Sequence, residues 1–385
     1  MKKIIFLLCL ISLSIYSYAQ LNGDGYYRVQ NYGSHRYAYL CDRTGYINYG
    51  TQNADIGAIQ LWSGLERTYD DPASIIYVKN VGGNRYDLQA QGTGLYDIIG
   101  HYVQIQVLGN NQYYVYASSS GITKYLSDSR TNDKEEGVPS FDGKGNYRLW
   151  SVFSVNENDN YLGITPTITA EGKHYTSFYA SFPFRKISSG LKVYYIKHVD
   201  ANAAVAVMEE VTADIIPGGM PLIVECPSTT SVGNKIMPVT GGGAALSNNL
   251  LHGVYFCNPD RVSDYVGTPF DKTTMRALTI LPNGKIGFDA SPANLTTIEI
   301  KYKPYQCLPA NTAYLAVSAD TPTELRMLTQ AEYEAYLRTL GVDNVNANKE
   351  IQTIYTLDGR EVNGLQRGVN IIRSTDGSIK KILKK

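Results

Sequence analysis

Between Gly25 and Trp62 the chain alternates short runs of β-forming residues with polar, Gly-containing turns, a pattern that leaves no room for a helix. Tyr26–Asn31 is one run; Gly33-Ser34 makes a turn; Arg36–Cys41 follows, and the stretch closes on Ala58-Ile59-Gln60-Leu61-Trp62. Alternation with turn residues at the ends marks strands, and no helical spacing runs through the segment. The arrangement returns imperfectly at Ile75–Asn80 with Arg85–Leu88, at Tyr113–Ala117 with Lys124–Leu126, and at Tyr147–Val152. Three copies of roughly 40–50 residues predict a small closed β repeat, too short for a solenoid.

On these residues the stretch resembles the ricin-type β-trefoil lectins. The likeness is carried by Asp42, Asn53 and Ala58–Trp62, in which Gln60-Leu61-Trp62 matches that family's Gln-x-Trp box. It covers about residues 22–156: the second repeat lacks the box, and the third offers Arg148-Leu149-Trp150. The resemblance implies a trefoil whose early Asp accepts hydrogen bonds from sugar hydroxyls while an aromatic ring covers the sugar's apolar face. On that map Asp42 is the carboxylate, Trp62, Tyr46 or Tyr49 the platform, and Asn53 and Gln60 polar partners. Two features compete with it. The family's galactose sites add an Asn-Gln pair after the box, where this chain has Tyr69-Asp70-Asp71-Pro72-Ala73-Ser74. Gln60 and Trp62 also suit a core role, the indole packing the barrel axis and the amide tying down backbone. In the third repeat, Ser127–Gly137 is charged and free of apolar residues, and reads as a solvated loop.

Composition narrows the partners. Lys+Arg 35 against Asp+Glu 35 gives no net charge, so nothing points to nucleic acid or an acidic membrane. Tyr 32 against Phe 9 and Trp 2 suits half-buried strands and equally suits polar binding faces. The start, with Met1-Lys2-Lys3, the apolar run Ile4–Ile15 and Ser17-Tyr18-Ala19 before Gln20, reads as a secretory signal peptide over 1–19. Such a chain is secreted or held at the cell surface, with no membrane span after cleavage. Cys41, Cys226, Cys257 and Cys307 remain, for which at most one bridge among the last three is expected. No cysteine pair has metal-ligand spacing and the five histidines are scattered, so neither a metal nor a cofactor is predicted.

The polar run Asn156–Asn160 marks a boundary. Beyond it, short strands such as Leu191–Lys197, Ala204–Met208, Ala277–Leu281 and Lys285–Phe288, the last two joined by Pro282-Asn283-Gly284, predict a β-sandwich-like domain. Ile216-Pro217-Gly218-Gly219-Met220-Pro221-Leu222-Ile223-Val224 and Leu308–Leu315 make this block resemble a module of secreted Bacteroidota proteins, which implies architecture and no activity. Gly241-Gly242-Gly243 lacks the setting of a phosphate cradle and reads as a loop. The one helix expected is 329–340, with Thr329 and Glu332 as capping box and Tyr333, Tyr336, Leu337 and Leu340 as its apolar face. At the end, Tyr355, Leu357, Gly359, Arg360, Gly368, Val369, Ile371 and the run Lys380–Lys385 resemble the C-terminal sorting domains of type IX secretion, with Asn370 where that family usually has Tyr.

The chain is thus expected to be all-β: signal peptide 1–19, β-trefoil 20–160, β-sandwich-like domain 170–342 ending in a helix, and a linker with a small β module over 343–385. The expected function is non-catalytic binding of glycans or glycoproteins. A surface protein as partner (an adhesin or inhibitor role), or a hydrolase with the trefoil as accessory, stands as the alternative. Glu209, Glu210, Asp214 and Glu225 are the carboxylates a hydrolase would draw on, and no spacing singles out a pair.

Overall fold

The computed structural model describes residues 21, 23–43, 46–49, 52–55, 58–64, 69–90, 103–128, 145–254, 268–300, 303–340, 351–374 and 379–384. Within 39–64, and at 90, 119, 298–300, 303, 351, 352 and 374, the description is of the backbone. The expected signal peptide, Cys257 and residues 129–137 of the third-repeat loop lie outside these residues. The protein is mostly β, and the described residues contain one α-helix. It divides into two compact units, residues 1–162 with 237–241 and residues 163–236 with 242–385.

The first unit is built from β1 (Gly25–Asn31), β2 (Tyr37–Arg43), β3 (Tyr46–Tyr49), β4 (Gln52–Asp55), β5 (Ala58–Gly64), β6 (Ile76–Gly82), β7 (Arg85–Ala90), β8 (Val103–Gly109), β9 (Gln112–Ser119), β10 (Ile122–Tyr125) and β11 (Leu149–Ser154). β1 pairs with β11 along Tyr27–Asn31 and with β6 along Gly25–Tyr27. β6 and β7 form a hairpin, as do β8 and β9; β7 pairs β8, and β9 pairs β11. Followed round, β1, β6, β7, β8, β9 and β11 close into a ring, which is how a sheet removes its exposed edges. Alternate residues point inward: Ile76, Val78, Leu88, Val103, Ile105, Tyr113, Val115, Trp150 and Val152 are all buried. Trp150 is 0% exposed and its indole N–H donates to Leu126 O at 3.0 Å. The tryptophan of the third repeat is therefore core.

Polar residues are also sealed into this unit. Arg28, 1% exposed, donates to Ser74 Oγ and to Asn160 O and Oδ1. Asn160 in turn donates to Phe153 O and Ser154 O, so the polar run 156–160 is anchored at its end. The reading of Ser127–Gly137 as solvated fails at its first residues: Ser127 and Asp128 are 0% exposed. Asp128 lies 3.6 Å from the Arg36 guanidinium and accepts a hydrogen bond from Ser34 Oγ at 2.7 Å. A carboxylate tolerates burial when a cation and a hydroxyl replace its water.

In the second unit, ten strands form one sheet in the order Ile168–Ala170, Lys173–Phe178, Leu222–Cys226, Lys192–Asp200, Val205–Glu210, Glu324–Thr329, Ile286–Asp289, Met275–Ile280, Thr312–Ala316 and Leu251–Val254. All neighbours are antiparallel except Val205–Glu210 with Glu324–Thr329. The sheet curls so that its two halves enclose one core, with Ile196, Ile223, Phe288, Leu315 and Leu325 fully buried. Backbone closes the curl where Tyr179 N–H donates to Asn311 O at 2.8 Å. The hairpin predicted at Pro282-Asn283-Gly284 is present, pairing Ala277–Ile280 with Ile286–Asp289. The Ile-Pro-Gly-Gly motif has a geometric cause. A Cβ on Gly218 would lie 2.2 Å from Ser181 O, and Gly219, at φ +73°, donates to Ala180 O.

Helix α1 (Gln330–Thr339) starts at the predicted capping box, Thr329 accepting from Glu332 N–H while the Glu332 carboxylate accepts from Thr329 N–H. Tyr333 and Tyr336 pack on Val205, Val207 and Leu328, and Leu337 is buried. Leu340 departs from the expected face: it is the C-cap, one residue past the helix, and 50% exposed. At the chain end, Glu361–Val362, Ile351–Thr356, Gly368–Ser374 and Ile379–Lys384 form a four-stranded sheet in that order. The Lys-rich strand is an edge, where charge discourages further pairing. Asn370 is 0% exposed and bonds to Gln366 N, Gln366 O and Gly368 O, so an amide there pins the preceding turn.

Candidate functional site

The first-repeat residues that the lectin likeness singles out sit on neighbouring backbone elements. In the β2–β5 pairing Asp42 stands opposite Ile59, Cys41 opposite Gln60 and Tyr39 opposite Trp62. The intervening chain folds into the β3–β4 ribbon, with Tyr46 opposite Asp55, Asn53 opposite Asn48 and Tyr49 opposite Gln52. A ribbon's two-residue period puts the positions of Tyr46 and Asn53 in one row and that of Tyr49 in the other.

The third repeat contains a constellation that the sequence reading missed. Registers Gln104↔Tyr116 and Gln106↔Tyr114 across β8–β9, and Tyr116↔Tyr125 and Ser118↔Thr123 across β9–β10, place these residues on one face. Val103, Ile105, Tyr113 and Val115 take the opposite, buried face, so the row looks out of the ring. Tyr114 and Tyr125 meet edge to face with centroids 4.9 Å apart, and Tyr116 lies 5.7 Å from Tyr125. The Arg148 guanidinium lies 5.1 Å from the Tyr125 centroid and 5.5 Å from that of Tyr114. The three rings, Gln104 and Arg148 are half-buried, whereas Gln106, Ser118 and Thr123 are exposed. Partly exposed rings flanked by amides and hydroxyls can stack on an apolar ligand face while bonding polar groups at its rim. The alternation Gln104/Gln106 and Tyr114/Tyr116 is visible in the sequence; the cross-strand register that aligns the two rows is not.

The carboxylates available to a hydrolase are differently placed. Glu209 is bonded by Lys197 Nζ and Tyr195 Oη, and these bonds hold its carboxyl below the ordinary value. A glycosidase acid needs the opposite shift. Glu210 and Asp214 are exposed. Glu225, 15% exposed, accepts from Tyr175 Oη at 2.8 Å and Tyr194 Oη at 3.2 Å, with Lys173 and Lys192 at 3.7 and 3.9 Å. Cys226 and Cys307 are free thiols, and burial, then the Glu225 charge, pushes Cys226 up to about 12. Among the described residues no group of three or more His, Cys, Asp or Glu could hold a metal ion, and no helix is long and apolar enough to cross a membrane.

The Glu225 cluster predicts a pH dependence. Burial, reinforced by the hydrogen bond to Glu225, raises the Tyr175 phenol above its ordinary value of 10.0, and burial with the Glu225 charge raises Tyr194 likewise. The unfolded chain therefore ionises first as pH rises. The contribution is complete below the unfolded value and is lost above it. Urea titrations between about pH 9 and 11 are expected to show a falling midpoint that is shallower in Tyr175→Phe. An unchanged slope in the variant would remove Tyr175 as a source.

No protein-family model, no curated protein and no solved structure matches the chain.

Proposed function

We propose that this is a non-catalytic binding protein, secreted or held at the cell surface, that recognises carbohydrate through its first unit. The observation that carries the reading is the outward row of Tyr114, Tyr116 and Tyr125 flanked by Gln104, Gln106, Ser118 and Thr123. A saccharide presents a C–H face to stack on aromatic rings and equatorial hydroxyls to bond with amides at the edge. The closed ring of strands and the core role of Trp150 support the trefoil likeness on which a first-repeat site at Asp42, Tyr46, Tyr49, Asn53, Gln60 and Trp62 depends. The basic and apolar start of the chain supports export.

The test is a glycan array probed with the full chain beside Asp42→Ala and Tyr116→Thr. Loss in Tyr116→Thr assigns recognition to the third repeat, and loss in Asp42→Ala to the first. Since stacking of one ring contributes roughly 0.5–1.5 kcal/mol, a drop of about two- to twelvefold is expected per live ring. A folded protein that retains no glycan refutes the reading.

A further inference from the structure

Arg148 has unusual company. Its guanidinium lies over two phenol rings, at 5.1 and 5.5 Å from their centroids, and among the described residues it forms no ion pair and donates no hydrogen bond. Its Nε is buried without an acceptor. Two ring faces offer a cation some attraction, yet among the described residues they leave the fork's donors without a protein acceptor. Leaving such donors unmade in a half-buried position costs stability that full exposure would recover. Tyr114 and Tyr125, which hold the guanidinium in place, are the same rings that form the outward row. The fork is therefore fixed beside the face on which a sugar would stack, and no described carboxylate pairs with its charge.

We propose that this row takes an anionic saccharide, with Arg148 receiving the ligand's carboxylate or sulfate while Tyr114, Tyr116 and Tyr125 carry the ring. The inference rests on the carbohydrate reading of the first unit and adds the ligand's charge to it. A planar fork matches either oxyanion with paired hydrogen bonds, which a lysine ammonium cannot reproduce.

The experiment measures affinity of the full chain for a uronate oligosaccharide, a sulfated oligosaccharide and the uncharged counterpart of each. Wild type, Arg148→Met and Arg148→Lys are compared, with folding of each verified by circular dichroism. Methionine keeps an unbranched apolar stem between the rings, and lysine keeps the charge without the fork. At least one acidic ligand should bind about tenfold or more tightly than its neutral counterpart, as expected for a charge-assisted hydrogen bond. Arg148→Met should abolish that preference, Arg148→Lys should restore part of it, and added salt should weaken it. Equal affinity for charged and neutral ligands, or a preference that survives Arg148→Met, overturns the role of Arg148 and leaves carbohydrate binding standing. Absence of binding to every saccharide overturns both.

Discussion

Replacing Trp150 with alanine is expected to lower the unfolding free energy of the first unit by about 3–5 kcal/mol, the usual cost of truncating a buried aromatic to alanine. The indole is fully buried, and β11 holds it between two neighbours, with Trp150 opposite Asn31 of β1 and opposite Tyr113 of β9. Truncation opens a cavity where the ring closes and also strands Leu126 O, which accepts the indole N–H at 3.0 Å. Trp150→Phe separates the two effects, since it fills most of the space and loses only the donor. It should cost about 1–3 kcal/mol, the penalty of an unsatisfied buried acceptor. Urea denaturation followed by circular dichroism measures both. A loss below about 1 kcal/mol in the alanine variant would mean that the site collapses freely and that the ring is not packed around this residue.

Asp128→Ala is expected to be as damaging, for an electrostatic reason. Arg36 and Asp128 are 1% and 0% exposed, so removal of the carboxylate takes a counter-charge away from a buried guanidinium. Breaking a buried pair from one side costs about 3–5 kcal/mol, whereas replacing both partners by apolar residues can be close to neutral. The double variant Arg36→Met/Asp128→Leu should therefore be more stable than the sum of the single variants Arg36→Met and Asp128→Leu predicts. A cycle of urea midpoints gives the coupling directly. Additive losses would show that the two charges do not depend on one another. Ser34 complicates Asp128→Ala, because its hydroxyl also loses its acceptor.

These two sites show where sequence reading succeeds and where it stops. Trp150 was visible as a partial echo of the first-repeat box, and a tryptophan in an alternating strand points to a core. Asp128 was misread because its sequence neighbours are polar and charged, which is the composition of a surface loop. Its partner Ser34 is 94 residues away and Arg36 follows two positions later, so no local pattern announces the contact. The Leu340 misassignment has a different origin: helical spacing continues through it, but the helix ends at Thr339. Periodicity marks a face and says little about the last turn.

The outward row of the third repeat was half legible. Tyr114 and Tyr116 alternate with buried Tyr113 and Val115 in one run, which the two-residue period of a strand explains. That Gln104 and Gln106 fall beside them, Tyr125 across from them and Arg148 over the rings follows from registers between strands that no sequence pattern states.

By itself the sequence determined the β class, the turn at Pro282-Asn283-Gly284 and the capping box at Thr329, because each depends on the backbone preferences of a few adjacent residues. Only the tertiary structure decided that β1, β6, β7, β8, β9 and β11 close into a ring, that Asp128 is buried against Arg36, and that Arg148 lies over two tyrosines. Those outcomes depend on which strands pair and in what register. A period of two assigns residues to alternate faces of a strand and leaves open what each face will meet.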